Sequence, residues 1–163
     1  MEVFPSDTTA EELLGQNPDG IMLSPGPGDP ELLGYTVKTV KDLLGRVPIM
    51  GICLGNQVLA QALGGKTYKL KFGHRGANHP VQDVSTGRVY ITAQNHGYSI
   101  DPDSLPSEVE ISHISMNDQT VEGIRHRSLP AMSIQYHSEA SPGPKDNEYI
   151  FNRFLDMVRE AKL

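Results

Sequence analysis

Residues 47–65 read VPIMGICLGNQVLAQALGG, and this stretch decides the fold. The apolar run from Val47 to Ile52 has the length of a buried strand. The run from Leu54 to Leu63 has the apolar spacing of a helix, which the glycine pair Gly64-Gly65 would end. Cys53 therefore lies between a predicted strand and a predicted helix. A strand followed directly by a helix is typical of a parallel α/β sheet.

The same alternation is predicted on the N-terminal side of this stretch. Ile21-Met22-Leu23 indicates a buried strand, and Glu31 to Leu44 indicates an amphipathic helix. Before them, Met1 to Phe4 indicates a short strand, and Thr8-Thr9-Ala10-Glu11 offers a capping box for a helix running towards Leu14. Three strand and helix units in succession predict a parallel sheet.

The second half of the chain has a different pattern. Short β-rich segments at Val81–Val84 and Arg88–Thr92 flank a Ser85-Thr86-Gly87 turn, and two more lie at Val109–Ile114 and Val121–Arg125. We expect these segments to form antiparallel strands added to the sheet. A final apolar strand, a rigid loop and a closing amphipathic helix are predicted at Ala131–Gln135, Ser141–Pro144 and Glu148–Val158.

Composition limits the function classes. The chain of 163 residues carries 14 Lys and Arg against 20 Asp and Glu, a formal net charge of −6. This charge argues against a nucleic-acid-binding protein, which needs clustered positive charge. The single cysteine cannot form an intramolecular disulfide, and no apolar run has the length of a signal peptide or membrane span. We expect one domain over residues 1–163, in the cytoplasm and without a membrane partner.

The segment Gly51-Ile52-Cys53-Leu54-Gly55 has the features of a nucleophile turn. Small residues on both sides of Cys53 permit a strained backbone, and the start of a helix favours a thiolate. A lone cysteine is otherwise more often a buried packing residue. The flanking glycines favour Cys53 as a nucleophile.

His137 and Glu139 supply the rest of a cysteine triad. They follow the final predicted strand, and in extended chain a spacing of two directs both side chains to one side. A histidine base and a carboxylate that orients it are what a cysteine nucleophile requires. The alternative is a solvated pair in a surface loop. The loop SPGPGDP at residues 24–30 would lie at the same sheet edge, as a ligand contact or as an ordinary rigid turn.

Five segments of the chain resemble the small subunit of carbamoyl-phosphate synthetases in order and spacing. They are LSPGPGDP, GICLGNQ, KFGHRGANHPV, ITAQNHGYSID and HSEASPGP, at residues 23–30, 51–57, 71–81, 91–101 and 137–144. The second segment and the paired His and Glu are shared by class I glutamine amidotransferases in general. The third and fourth separate this subunit from the glutaminases of GMP synthetase and anthranilate synthase. The resemblance covers residues 1–160 and implies an α/β fold, a flavodoxin-like, open, mostly parallel sheet with helices on both faces.

The resemblance also implies a role for each site residue. Cys53 would attack the side-chain amide of glutamine, His137 would carry the proton to departing ammonia, and Glu139 would orient His137. Backbone N–H groups of Leu54 and Gly26 would form the oxyanion hole. The residues implied to bind glutamine are Gly26, Gly28, Leu54, Gln57, Asn95, Gly97 and Tyr98.

The partner implied by the resemblance is a large subunit that receives the ammonia. That subunit would use ATP and Mg to make carbamoyl phosphate for pyrimidine or arginine synthesis, so we expect no metal and no cofactor in this chain. Two other functions stay open: a glutaminase or γ-glutamyl hydrolase that acts without a synthetase, and a regulatory partner that has lost turnover.

The chain departs from the family pattern at three places. Asn56 stands where the family usually has His, and we expect this change to matter little. Ser138 stands where the family has Pro, which would fix φ, so we predict a looser triad and a lower turnover. The family also has an N-terminal domain, a first strand and a helix before the segment that matches Met1. We therefore expect a domain that is incomplete at its N-terminus and a sheet without its first strand.

Five histidines outside the predicted triad receive weaker interpretations. His74 and His79 belong to a polar loop, residues 69–79, and without a partner carboxylate they are poor candidates for metal ligands. Solvation or a subunit contact explains them equally well. His96 is expected to be structural or to face an interface, and His113 and His126 are expected to be ordinary strand residues.

Overall fold

The computed structural model describes residues 1–140 and 145–162, so the predicted loop at Ser141–Pro144 lies outside the described residues. The strands are β1 Ile21–Leu23, β2 Ile49–Ile52, β3 Thr67–Asp83, β4 Val89–Ile100, β5 Val109–Ser115, β6 Val121–His126 and β7 Ala131–Ile134. The helices are α1 Ala10–Leu14, α2 Gly34–Leu43, α3 Leu54–Ala62 and α4 Tyr149–Glu160. None of these helices is long and apolar enough to cross a membrane.

The strands form one mixed sheet in the order β1-β2-β7-β6-β4-β3-β5. In the described part of the chain the pairs β1–β2 and β2–β7 are parallel, and all other pairs, including β7–β6, are antiparallel. Strand β6 also pairs with β5, which closes β3, β4, β6 and β5 into a ring. The expectation of an open, mostly parallel sheet is therefore wrong for this half of the molecule.

Closure of the ring has a physical reason in β3. Its pairing with β4 shifts register between Lys69 and His74 and again between Gly76 and His79, and such irregularities bend a strand. The bent hairpin brings β3 alongside β5, so strand edges that would be open are paired instead.

Helices cover both faces of the parallel strands, as predicted. On one face, α1, α2 and α3 pack against alternate strand residues such as Ile49 and Ala131. On the other face, α4 packs Ile150 and Phe154 against Met50 and its neighbours. The alternation follows from the period of two along a strand. The carboxyl ends of β1, β2 and β7 are left free to carry a site.

Several predicted boundaries change. Met1–Phe4 is an exposed segment outside any strand, and the capping box is formed by Thr9 and Glu12, one residue later than predicted. The helix predicted from Glu31 begins instead at Gly34, after a short 3-10 turn. The predicted polar loop at 69–79 is part of β3, where its backbone pairs with β4 and most of its residues are exposed. Strand β1 has one neighbour, β2, in the described part of the chain, and the absence of a first strand stays a prediction.

Candidate active site

Cys53 occupies a strained turn between β2 and α3. Its φ is 54° and its ψ is −105°, a conformation that costs a non-glycine residue free energy. The turn is held by the N–H of Cys53, which donates to the Ile134 carbonyl at 2.9 Å, and by its carbonyl, which accepts from the N–H of Asn56 at 3.1 Å. Strain retained at a held position is typical of functional residues.

The flanking glycines are required by close packing. A Cβ on Gly51 would lie 2.4 Å from the Gly55 carbonyl oxygen, and a Cβ on Gly55 would lie 2.3 Å from the Leu23 carbonyl oxygen. Backbone atoms cannot yield to such contacts. The two glycines therefore let α3 start directly behind the nucleophile, as the sequence pattern predicts.

His137 and Glu139 form a hydrogen-bonded pair beside Cys53. Nδ1 of His137 lies 2.7 Å from Oε1 of Glu139, so the imidazole donates from Nδ1 and directs Nε2 away from the carboxylate. The pKa of His137 is raised to about 10, first by the neighbouring Cys53 sulfur and then by the bond to Glu139. Burial raises the pKa of Glu139, but the bond to His137, a backbone hydrogen bond and the charge of His137 together outweigh burial and leave that pKa lowered. The predicted triad residues thus lie together.

The segments predicted to form the oxyanion hole and the glutamine site converge on the same place. A Cβ on Gly26 would lie 2.8 Å from Cδ2 of Leu54, so the two predicted oxyanion residues are adjacent. Sγ of Cys53 lies 3.9 Å from the carbonyl oxygen of Asn95. The pKa of Tyr98 is raised, first by burial and then by the Asp29 carboxylate, which places β4 against the loop of residues 24–30.

The remaining predicted glutamine contacts divide into two kinds. Gly28, with φ of 107°, and Gly97 each have open space where a Cβ would stand, so no protein atom occupies the space beside their backbones. The side chain of Gln57 is buried, and its Nε2 donates to the Tyr98 carbonyl at 3.0 Å and to Oε1 of Gln135 at 3.1 Å. Gln57 therefore already serves to hold β4 to α3, and its direct contact with glutamine stays a prediction.

The structure adds a buried polar cluster that the sequence reasoning missed. The possible metal-ligand atoms of His74, His96 and Glu122 lie within 4.8 Å of one another. Two imidazoles and a carboxylate are residue types that bind metals such as zinc. Each nitrogen is however within hydrogen-bonding distance of a protein oxygen, among them Oε1 of Gln94 and Oδ2 of Asp118. The expectation that His74 lacks a partner carboxylate is wrong, because Glu122 and Asp118 both contact it.

Two further polar contacts differ from expectation. His113 lies in strand β5, as predicted, but it is buried, and its Nε2 lies 2.9 Å from the hydroxyl of Tyr149 on α4. Asn56 is fully buried, with Nδ2 donating to Gln135 at 2.9 Å and Oδ1 accepting from Ser133 at 2.8 Å. Polar residues at inward-facing positions of predicted strands could have indicated these buried contacts. Their partners could not be predicted, because they come from distant segments of the chain.

Comparison with known proteins agrees with this geometry. The family model for glutamine amidotransferase class-I matches residues 1–157. The chain is 58% identical over 160 residues to the carbamoyl phosphate synthase small chain of Akkermansia muciniphila, covering 98% of this chain and 43% of that protein. It is 59% identical over 153 residues to the protein of the same name from Clostridium perfringens, covering 94% and 43%. The chain thus spans less than half the length of these relatives.

Solved structures show the same fold at lower sequence identity. A Thermoplasma acidophilum protein assigned as a GMP synthase subunit has a TM-score of 0.82 and 24% identity, with 99% of this chain and 82% of that chain covered. A glutamine amidotransferase from Thermotoga maritima has a TM-score of 0.66 and 22% identity, with 91% and 67% covered. These likenesses show the fold, and the family match over residues 1–157 shows that the chain belongs to the class I glutamine amidotransferase family.

Proposed function

We propose that this chain hydrolyses glutamine to glutamate and ammonia through a thioester on Cys53. The observation that carries the proposal is the strained turn at Cys53, which faces the hydrogen-bonded pair of His137 and Glu139. A nucleophile, a base and a group that orients the base are the parts that acyl transfer needs.

The chemistry follows from these positions. The thiolate of Cys53 attacks the side-chain amide carbon of glutamine, and the oxyanion accepts from the N–H groups of Leu54 and Gly26, each worth roughly 3 kcal/mol. The carbon–nitrogen bond then breaks as the imidazolium of His137 gives its proton to the leaving nitrogen, which departs as ammonia. Water attacks the thioester, His137 takes a proton from it, and glutamate leaves with Cys53 restored.

The ammonia is proposed to pass to a carbamoyl-phosphate synthetase large subunit. The relatives from Akkermansia muciniphila and Clostridium perfringens both carry the name carbamoyl phosphate synthase small chain, and their likeness extends over nearly all of this chain. In this proposal ATP and Mg are used by the partner, while this chain supplies only nitrogen.

The test is ammonia release from glutamine, measured with the full chain alone and with a carbamoyl-phosphate synthetase large subunit. A Cys53→Ser variant is the control, and circular dichroism shows that both chains are folded. Release that depends on Cys53 and rises with the large subunit supports the proposal. A folded chain that releases no ammonia under either condition contradicts it.

A further inference from the structure

Four buried polar side chains lie behind the turn that holds Cys53. We call them the amide cluster: Asn56 and Gln57 on α3, Ser133 on β7, and Gln135 directly after β7. Gln57 is 3% exposed and the other three are 0% exposed. Because buried polar groups need partners, the donor and the acceptor of each contact in this cluster can be assigned.

The orientation of the Gln57 amide is fixed by the backbone of β4. The Tyr98 carbonyl oxygen can only accept, and it lies 3.0 Å from the amide nitrogen of Gln57, Nε2. The second lone pair of this oxygen accepts from Nδ1 of His96 at 2.8 Å. Nε2 of Gln57 also lies 3.1 Å from the amide of Gln135. The two hydrogens of Gln57 therefore go to these two partners, and Gln135 must present its oxygen, Oε1.

The remaining contacts follow from this assignment. Nδ2 of Asn56 lies 2.9 Å from the same oxygen of Gln135 and donates to it. Oδ1 of Asn56 then faces the hydroxyl of Ser133, which donates to it at 2.8 Å. Each of these contacts pairs a donor with an acceptor, so the cluster has one consistent arrangement of hydrogens.

Gln135 takes part in the cluster through its oxygen alone. Its amide nitrogen is buried and has no hydrogen-bond partner within the described residues. The reverse orientation is excluded, because the NH₂ of Gln135 would then face the NH₂ groups of Asn56 and Gln57. Both hydrogen bonds of this side chain are therefore accepted by Oε1.

This one oxygen joins three elements that carry the site. The N–H groups of Asn56 and Gln57 donate to the Cys53 carbonyl at 3.1 and 3.3 Å, so their side chains and the nucleophile turn move together. Gln135 lies two residues before His137 in the chain. Strand β4, which is reached through Gln57, supplies the carbonyl oxygen 3.9 Å from the Cys53 sulfur.

We propose that Gln135 is a positioning residue for the glutaminase reaction, because its side-chain oxygen fixes the separation of Cys53 and His137. The inference rests on the proposed function, in which the Cys53 thiolate reacts beside the His137 imidazolium. Without this oxygen, the amide donors of Asn56 and Gln57 lose a buried acceptor, which is costly. We expect α3 and the segment after β7 to move apart, so that the thiolate loses the nearby positive charge that favours it.

The test is the rate at which iodoacetamide, a small neutral electrophile, alkylates the full chain at neutral pH. Cys53 is the single cysteine, so the rate reports this residue alone. Gln135→Met removes the oxygen and keeps an unbranched side chain of similar length. We expect alkylation to slow by about 10- to 100-fold, because a misplacement of about 1 Å has an effect of that order. A variant that only loosened the fold would expose Cys53, which is 4% exposed, and would speed alkylation instead.

A double-mutant cycle separates positioning from a general structural effect. If Gln135 acts by holding His137 beside Cys53, then Gln135→Met should change the alkylation rate little in a His137→Ala chain. A matched control is Gln61→Met, which removes a 2.9 Å hydrogen bond to Thr67 further along α3 and should leave the rate unchanged.

Two results would overturn the proposal: Gln135→Met that reacts as fast as the unmodified chain, or a slowing of the same size with and without His137. Circular dichroism shows which variants fold. If Gln135→Met does not, Gln135→Asn takes its place, because it keeps the amide but draws the oxygen back by one methylene. Alkylation requires no turnover, so a chain that meets these expectations yet releases no ammonia would refute the proposed function alone.

Discussion

At the scale of single residues, the charge on His137 depends on Cys53 and Glu139. The charge of Glu139 can be removed without changing the shape of the side chain. Glu139→Gln keeps the volume of the side chain but removes the negative charge next to Nδ1. We expect the pKa of His137 to fall from about 10, because one of the causes that raise it is lost. We also expect kcat/KM for glutamine to fall on the order of 10²-fold. Histidine NMR and initial rates measure the two effects, and an unchanged pKa with a reduced rate would contradict this explanation.

Ser138 separates the two members of that pair and is buried, with its hydroxyl unpaired within the described residues. Ser138→Pro removes the unpaired hydroxyl and fixes φ between His137 and Glu139. We expect stability to rise by about 0.4–1 kcal/mol and the glutaminase rate to rise with it, because less chain entropy is lost on ordering the pair.

Ser138→Ala is the control for this change, since it removes the hydroxyl and leaves the backbone free. Urea unfolding and steady-state rates compare the three chains. If proline gives no more activity than alanine, the idea of a loose triad is wrong.

At the scale of secondary-structure elements, the contact between α3 and β1 tests the nucleophile turn. Gly55→Ala would place a Cβ 2.3 Å from the Leu23 carbonyl oxygen, so α3 must move away from β1. We expect a loss of about 1–3 kcal/mol in the free energy of unfolding. We also expect the rate of Cys53 alkylation to fall by a larger fraction than the free energy of unfolding does, because the movement of α3 displaces the turn that holds Cys53. The readouts are urea unfolding and the rate of alkylation of Cys53 by a glutamine-like electrophile.

Gly34→Ala is a matched control on the neighbouring helix. A Cβ at Gly34 meets nothing within 4 Å, and alanine is favoured over glycine in a helix by about 0.5–1 kcal/mol. This variant should be as stable as the unmodified chain or slightly more so. Equal destabilisation by both alanines would show that the close approach at Gly55 is unimportant.

A structural feature of this scale can be predicted from the sequence when the residues that produce it are close together in the chain. The turn at Cys53 and the spacing of His137 and Glu139 are local patterns, so the triad can be predicted without the fold. The bond between Gln94 and Glu122 joins residues 28 apart, and only the ring of antiparallel strands brings them together. The strand at residues 69–79 lacks the alternation of apolar and polar residues that predicts a strand, because most of its residues are exposed and its one buried residue, His74, is polar.

At the scale of the whole molecule, the described part of the chain has a parallel half covered by helices and an antiparallel ring, joined where β6 pairs with β7. The pKa values of two buried histidines on the ring are shifted in opposite directions. The pKa of His74 is raised to about 9, with its bond to Glu122 as the largest cause. The pKa of His113 is lowered to about 4 by burial, and its neutral ring accepts from Ser112 and donates to Tyr149. The pH dependence of stability should therefore have two limbs.

The sign of each limb follows from linkage. His74 binds its proton more tightly when folded, so its contribution is complete below the ordinary histidine pKa of about 6.5 and is lost as the pH rises through 9. His113 is the reverse, and its contribution is lost as the pH falls from about 6.5 through 4. We expect the free energy of unfolding in urea to be greatest near pH 6.5, with the alkaline limb flattened in His74→Gln and the acid limb flattened in His113→Gln. A variant that lowers stability equally at every pH would show that its histidine is a packing residue only.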